Sequence, residues 1–138
     1  MTTAILLAHA GDLTQFTSRT LLKHLGLNLK EDTSGTSKRG GPHITKRGNS
    51  RVRKALFMAA LRLIKSNPIA RAWVDAKAVR QGDRTMRMKA VIALMRKLVS
   101  ALPHLARGDR FDASKLFDVE RLKRRRALPA DFAAVSPT

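Results

Sequence analysis

The chain has 138 residues, with 28 Lys and Arg against 10 Asp and Glu, and carries a formal charge of +18 at pH 7. Hydrophobic residues make up 43% of it, enough to build a core, so the composition excludes a disordered polycation. The absence of cysteine excludes a disulfide framework, a thiolate zinc site and a thiol nucleophile. The longest apolar run, Ala55 to Leu61, is too short to cross a bilayer, and the N-terminus lacks the positive charge of a signal peptide. We therefore expect a cytoplasmic protein whose partner is nucleic acid and not a membrane.

The first part of the chain predicts two short helices followed by a long loop. The apolar residues 2–10 favour a helix that Gly11 ends, and residues 18–25 favour a second helix that Gly26 ends. Almost nothing alternates with the period of a β-strand. Residues 28–49 are rich in glycine, hydroxyl and basic residues and poor in apolar ones, which is typical of a functional loop.

The second part predicts three longer helices. An amphipathic helix follows the loop and ends at Asn67-Pro68, and the next helix covers about 68–80. The longest helix covers about 85–102 and is stopped by Pro103. The apolar positions expected in the core of these helices are Val52, Ala55, Leu56, Ala59, Leu63, Ile69, Trp73, Ala76, Val79, Met88, Val91, Ile92, Met95, Leu98, Val99 and Leu102. The predicted fold class is an all-α domain in which a long basic Gly/Ser loop leads into a basic amphipathic helix.

Positive charge is concentrated in the middle of the chain. No acidic residue lies between Asp32 and Asp75, so no negative charge within that interval compensates its basic residues. They are Lys38, Arg39, Lys46, Arg47, Arg51, Arg53, Lys54, Arg62, Lys65 and Arg71. Solvated surfaces usually mix both signs of charge, so this interval favours phosphate binding over a merely soluble surface. A second basic run, residues 121–126, could bind nucleic acid or form an unstructured tail.

Several kinds of reactive site are missing from the sequence. The four histidines have no paired spacing and the carboxylates fall mostly beside turns, so neither a zinc site nor a two-metal nuclease centre is expected. No glycine-rich nucleotide-binding motif occurs. The chain has five Phe, one Trp and no Tyr, and Phe57 and Trp73 are expected in the core. Nucleobases are therefore not expected to stack on aromatic side chains.

The segment that leads from the loop into the amphipathic helix carries the most specific pattern. The run Lys46-Arg47-Gly48-Asn49-Ser50-Arg51 brings glycine and cations to a helix N-terminus capped by Asn49 or Ser50, which favours phosphate binding. Ser34-Gly35 lies upstream on the loop. An activated serine hydroxyl can attack a phosphodiester, but from the spacing alone a simple turn is the stronger interpretation.

Three motifs in this region resemble one family of proteins. They are Gly26-Leu27, Ser34-Gly35 and Ile44-Thr45-Lys46-Arg47-Gly48-Asn49, the last of which continues into a basic helix. Their order resembles the C-terminal domain of insertion-sequence transposases of the IS110/IS116/IS902 type. The resemblance covers roughly residues 2–112. It implies a remnant of a helix–hairpin–helix region at 1–26, the helical transposase domain at 27–112, and a basic helix with a loose tail at 113–138.

The resemblance implies DNA cleavage and rejoining by an enzyme of two parts. In this family a RuvC-like domain binds magnesium through carboxylates, and the domain resembled here supplies a serine nucleophile. Ser34 occupies that catalytic position, and Ser37 is close enough to be an alternative. The residues expected to hold the nucleic-acid backbone near it are Lys38, Arg39, Lys46, Arg47, Asn49, Arg51, Arg53 and Lys54.

The resemblance also carries expectations about partners and completeness. Members of the family act on DNA, are guided by a structured RNA and work as homo-oligomers. Because no RuvC-like half precedes the matching region, the chain is expected to be truncated, to hold no cofactor of its own and to be inactive alone. A second class of function fits the charge and size equally well, namely a non-catalytic nucleic-acid-binding protein of the ribosomal or nucleoid-associated kind. Only the Ser-Gly and Lys-x-Gly-Asn spacing favours the transposase.

Overall fold

Helices dominate the part of the chain that the computed structural model describes, which is residues 2–30, 43–78, 84–110, 112 and 116–124. The α-helices are α1 (Thr2–Ala10), α2 (Ser18–His24), α3 (Ser50–Ser66), α4 (Pro68–Ala78), α5 (Arg84–Ala106) and α6 (Val119–Arg124). A 3₁₀ turn, Leu13–Gln15, follows α1, and two strands, β1 (Leu29–Lys30) and β2 (His43–Ile44), pair with each other. This architecture confirms the all-α prediction. None of the described helices is both long and apolar enough to span a membrane.

The described residues belong to two compact units, each with its own buried apolar side chains. The first unit takes in Met1–Leu56 and Val99–Asp109, and the second takes in Phe57–Leu98 and Arg110–Thr138. Buried apolar residues of the first unit are Leu6, Leu13, Leu21, Leu25, Leu27, Val52, Leu56 and Val99. Those of the second unit are Ala60, Ile69, Ala70, Ala72, Val74, Ala90, Val91, Leu94, Met95, Phe117 and Leu122.

Local capping explains where the helices of the first unit begin and end. The Thr17 hydroxyl accepts a hydrogen bond from the Thr20 amide, and the Thr20 hydroxyl accepts one from the Thr17 amide, which forms a capping box at the start of α2. Gly26 then ends the helix in the left-handed conformation, at φ +69°. Both boundaries agree with the sequence prediction to within one residue.

The region predicted as one long loop contains a short antiparallel ladder. Leu29 pairs with Ile44 and Lys30 with His43, so β1 and β2 flank residues 31–42. Both strands are two residues long, and three of their four side chains are exposed. Such strands need no alternation of apolar and polar residues, because backbone hydrogen bonds and not side-chain burial define them. This is why the sequence pattern did not reveal them.

The prediction that Pro103 stops the longest helix is wrong, because α5 continues to Ala106. Proline has no backbone N–H and cannot donate a helical hydrogen bond, but other hydrogen bonds are formed on either side of it. The Arg107 amide donates to the Pro103 carbonyl at 3.2 Å, and the Ser18 hydroxyl donates to the Ser100 carbonyl at 2.6 Å. Pro103 itself is fully buried in the first unit, so the apolar ring contributes to packing there.

In the second unit, α6 packs against α4. Phe117 and Leu122 are buried, and the rings of Phe117 and Trp73 lie 5.9 Å apart. Lys97 Nζ donates to the Leu116 carbonyl at 2.7 Å and lies 5.5 Å from the centre of the Trp73 ring. Residues 121–124 of the second basic run therefore form part of a docked helix, whereas residues 125 and 126 lie outside the described part.

Most of the inward positions predicted for the long helices are at least half-buried. Val52, Leu56, Val91 and Val99 lie in a core as expected. Met88 does not, because 51% of it is exposed. It comes early in α5, before the buried run that begins at residue 90. Phe57 and Trp73 are half-buried and not fully enclosed, and Val79 lies outside the described residues.

Candidate nucleic-acid interface

The ladder brings two of the sequence motifs into direct contact. Beyond β1 and β2, the Thr45 amide donates to the Asn28 carbonyl at 3.0 Å, and the Lys46 amide donates to the Gly26 carbonyl at 3.0 Å. The Thr45 hydroxyl also donates to Asn28 Oδ1 at 2.6 Å. The Gly-Leu motif and the Lys-Arg-Gly-Asn motif, far apart in the sequence, therefore lie side by side.

Two glycines permit this close packing. A Cβ atom at Gly26 would overlap the Arg47 carbonyl oxygen and lie 2.6 Å from the Arg47 carbonyl carbon. A Cβ atom at Gly48 would lie 2.8 Å from the His24 carbonyl oxygen. Gly26 therefore lies against the backbone of the Lys-Arg-Gly-Asn run, and Gly48 lies against the end of α2, directly before the Gly-Leu motif. Any side chain at either position would force the two segments apart.

The contacts of Gly26 with Arg47 and of Gly48 with the end of α2 are called the glycine junction below, and Lys46 lies within it. Its backbone adopts φ +54°, which is uncommon for a residue other than glycine. The hydrogen bond from its amide to Gly26 holds this conformation. Lys46 and Arg47 are both exposed. The strained backbone thus presents two adjacent cations immediately after the ladder, a position where strain commonly serves binding.

Asn49 and Arg53 hold the start of α3. Asn49 Oδ1 accepts from the Arg51 amide at 2.9 Å, which confirms Asn49 as the helix cap. Arg53 Nη1 donates to the Gly48 carbonyl at 2.8 Å. Both residues are half-buried, whereas Arg51 and Lys54 are exposed. Among the predicted phosphate-binding residues of this segment, Asn49 and Arg53 therefore shape the backbone, and the exposed cations face solvent.

The remaining predicted site residues lie in the segment between the two strands. Ser34, the alternative Ser37, Lys38 and Arg39 fall within residues 31–42, outside the described part of the chain. Both ends of that segment are described: it leaves the ladder at Lys30 and returns at His43. The assignment of these four residues to a site stays a prediction.

Among the described residues 2–30 and 43–74, Asp12 is the only acidic one. Asp12 is exposed, and hydrogen bonds from the Thr14 hydroxyl and amide hold the pKa of the Asp12 carboxyl below its ordinary value. Among the described residues, no three His, Asp or Glu side chains lie close enough together to hold a metal ion. These residues do not fit the magnesium that the resemblance implies for a separate domain, so no step through a metal is derived from them.

A group of rings beside the glycine junction was not foreseen from the sequence. The rings of His9 and His24 are 5.5 Å apart between centroids, and those of Phe16 and His24 are 5.3 Å apart. Asn49 Nδ2 lies 3.4 Å from His9 Nδ1, which connects these rings to the start of α3. The three residues come from different elements, so only their tertiary packing could have indicated them. His9, Phe16 and His24 are called the ring cluster below.

Comparison with known proteins finds matches over the region that contains these motifs. The family described as "Transposase IS116/IS110/IS902 family" matches residues 1–75, more than half of the chain. The chain is also similar to the insertion element IS110 uncharacterized 43.6 kDa protein of Streptomyces coelicolor, with 31% identity over 116 residues. That alignment covers 83% of this chain and 28% of the relative, so the chain spans little more than a quarter of the relative's length. The glycines and cations of the junction lie within the matched region, and the chain belongs to the IS116/IS110/IS902 family of transposases.

Proposed function

We propose that this chain binds the nucleic-acid backbone for an IS110-type transposase and supplies Ser34 as the nucleophile for DNA strand cleavage and rejoining. One observation carries the proposal. The glycine junction fixes the exposed cations Lys46 and Arg47 directly beside the strand that leads out of the segment containing Ser34. A nucleophile that attacks a phosphodiester needs the phosphate held and neutralised close by, and neighbouring cations meet that need.

Backbone binding follows from the charge of the described surface. Lys46, Arg47, Arg51 and Lys54 are exposed, and they lie in an interval that has no acidic residue. Contacts of this kind are largely independent of base sequence and weaken as salt rises. Asn49 and Arg53 contribute indirectly, because their hydrogen bonds fix the backbone that carries these cations.

The proposed chemistry is a transesterification. Ser34 Oγ forms a bond to the phosphorus of a phosphodiester, the bond from that phosphorus to one deoxyribose oxygen breaks, the serine proton passes to solvent or a base, and the leaving oxygen takes up a proton. Rejoining is the reverse attack by a deoxyribose hydroxyl, which releases the serine. We expect the isolated chain to bind without cutting, because the resemblance assigns the metal-binding carboxylates and their magnesium to a RuvC-like domain.

The partners of the reaction are part of the same proposal. DNA is the substrate, a structured RNA is the guide, and copies of the full transposase assemble with one another. A function of this kind places the protein in the cytoplasm, where it meets DNA. Membership of a transposase family favours this function over a ribosomal or nucleoid-associated role, which the charge alone would fit equally well.

Backbone binding is tested with Arg47→Ala. We expect the slope of log K against log salt on duplex DNA to become shallower by about 0.9, because one phosphate contact is lost. Lys89→Ala is the matched control, since it removes one exposed cation from α5, outside the junction. Equal slopes for the two variants would refute the assignment of the junction as the binding surface.

The nucleophile is tested in a transposase completed with the RuvC-like part of a relative. Ser34→Ala is expected to leave DNA affinity nearly unchanged and to abolish the covalent protein–DNA adduct, measured as a denaturant-resistant band. Ser37→Ala is the matched control and is expected to retain the adduct. A reversed result would move the nucleophile to Ser37, and an adduct in both variants would exclude Ser34.

A further inference from the structure

The ring cluster lies on the surface of the first unit, at the ends of two helices. His9 is in the last turn of α1, His24 ends α2, and Phe16 lies between them in the sequence. His24 is the central ring, at 5.5 Å from His9 with a tilt of 35° and at 5.3 Å from Phe16 with a tilt of 46°. Both histidines are exposed, and Phe16 is half-buried. The cluster therefore offers aromatic surface to solvent.

Two contacts join the ring cluster to the junction. The His24 carbonyl oxygen lies against Gly48, so the end of α2 and the Lys-Arg-Gly run are in contact. The amide of Asn49 uses its oxygen to cap α3, so its nitrogen is the group that donates to His9 Nδ1, at 3.4 Å.

The charge around the ring cluster suits a nucleic acid. Between Thr2 and Lys30 the only acidic residue is Asp12, whereas Arg19 and Lys23 are exposed on α2. Nucleobases that are not paired stack on His and Phe rings as well as on larger aromatic side chains. The small number of Phe, Trp and Tyr residues predicts little stacking, but the fold also brings the rings of two histidines together.

We propose that the ring cluster is a stacking platform for an unpaired nucleobase of a strand whose phosphates are held by Lys46 and Arg47. This inference rests on the proposed backbone binding and adds a base-contacting subsite to it. The cations fix where the strand runs, and the rings next to Asn49 then take up a base that has left its duplex. The proposed ligand is a flat, unpaired nucleobase, which either single-stranded DNA or single-stranded RNA can supply.

The test compares two single-stranded oligonucleotides of equal length and charge, one with bases and one made only of abasic sites. We expect His24→Ala to weaken binding of the base-containing strand by about five- to tenfold, at the lower end of stacking effects because the platform is exposed. Binding of the abasic strand should not change. His24→Phe keeps a ring and is expected to bind both strands as the wild-type chain does.

His104→Ala is the matched control. It removes another exposed histidine of the first unit, one that interacts with Asp109 and lies outside the ring cluster. It should not alter binding of either strand. In the wild-type chain, proton resonances of the His24 ring should shift upfield on addition of the base-containing strand and stay in place with the abasic strand.

The outcomes separate the platform from the backbone binding. If neither strand binds the wild-type chain, both proposals fail. If both strands bind equally and His24→Ala changes neither affinity, or weakens both to the same extent, the platform is refuted and the backbone binding stands. A base-dependent loss in His24→Ala supports the platform, and a parallel series with an RNA strand shows which nucleic acid it prefers. His9→Ala provides a second variant with the same expected pattern.

Discussion

Gly26→Ala is the sharpest test of how the two motifs are joined. Alanine would have to adopt φ +69°, which costs about 1–2 kcal/mol for a residue with a Cβ atom. Its methyl group would also overlap the Arg47 backbone. Moving Arg47 away breaks the hydrogen bond from Lys46 to Gly26, worth about 1 kcal/mol, and disturbs packing next to the buried Leu27, which adds about 1–3 kcal/mol. We expect a total loss of about 3–6 kcal/mol in the free energy of unfolding.

Gly11→Ala supplies the matched control within the same unit. Gly11 adopts φ +67°, almost the same conformation, but nothing lies within 4 Å of the position a Cβ atom would take. Gly11→Ala should therefore lower the free energy of unfolding only by the cost of the left-handed conformation, about 1–2 kcal/mol. Urea denaturation followed by circular dichroism measures both variants. A difference between them of less than about 1 kcal/mol would show that contact with Arg47 does not constrain Gly26, and the reasoning about the junction would be refuted.

The remaining predictions concern contacts in each unit. Thr45→Val removes the hydroxyl that donates to Asn28 Oδ1, and we expect a loss of about 1 kcal/mol in urea denaturation; no loss would mean that this bond does not hold the ladder. Lys97→Met removes the donor to the carbonyl before α6 and should speed proteolysis of the C-terminal segment, whereas the control Lys89→Met should not. The folded-state pKa of Asp12 is lowered, so its contribution to stability is present above its ordinary value of 3.8 and is lost as the pH falls through the lowered pKa. The free energy of unfolding of Asp12→Asn should therefore fall less than that of the wild-type chain between about pH 5 and pH 2. An equal fall in both proteins would contradict the lowered pKa of Asp12.

Features that depend on residues close together in the chain could be predicted from the sequence alone. The capped start of α2, its end at Gly26 and the start of α4 at Asn67-Pro68 follow from short-range hydrogen bonding and from the conformational limits of glycine and proline. The all-α class follows from helical periodicity. The family was also recognisable, because its motifs are short and keep their order along the chain.

Contacts between segments that are distant in the sequence become visible only in the folded chain. The packing of Gly26 against Arg47 and the ladder of β1 and β2 depend on backbone contacts between distant segments, and the ring cluster depends on side-chain contacts between them. Such contacts leave no periodic signal in the sequence. Helix α5 passes through Pro103, and the buried proline ring contributes apolar packing that offsets the missing amide. The sequence could name Lys46 and Arg47 as cations, but their packing against Gly26 and the end of α2 comes from two glycines that allow one backbone to lie directly on another.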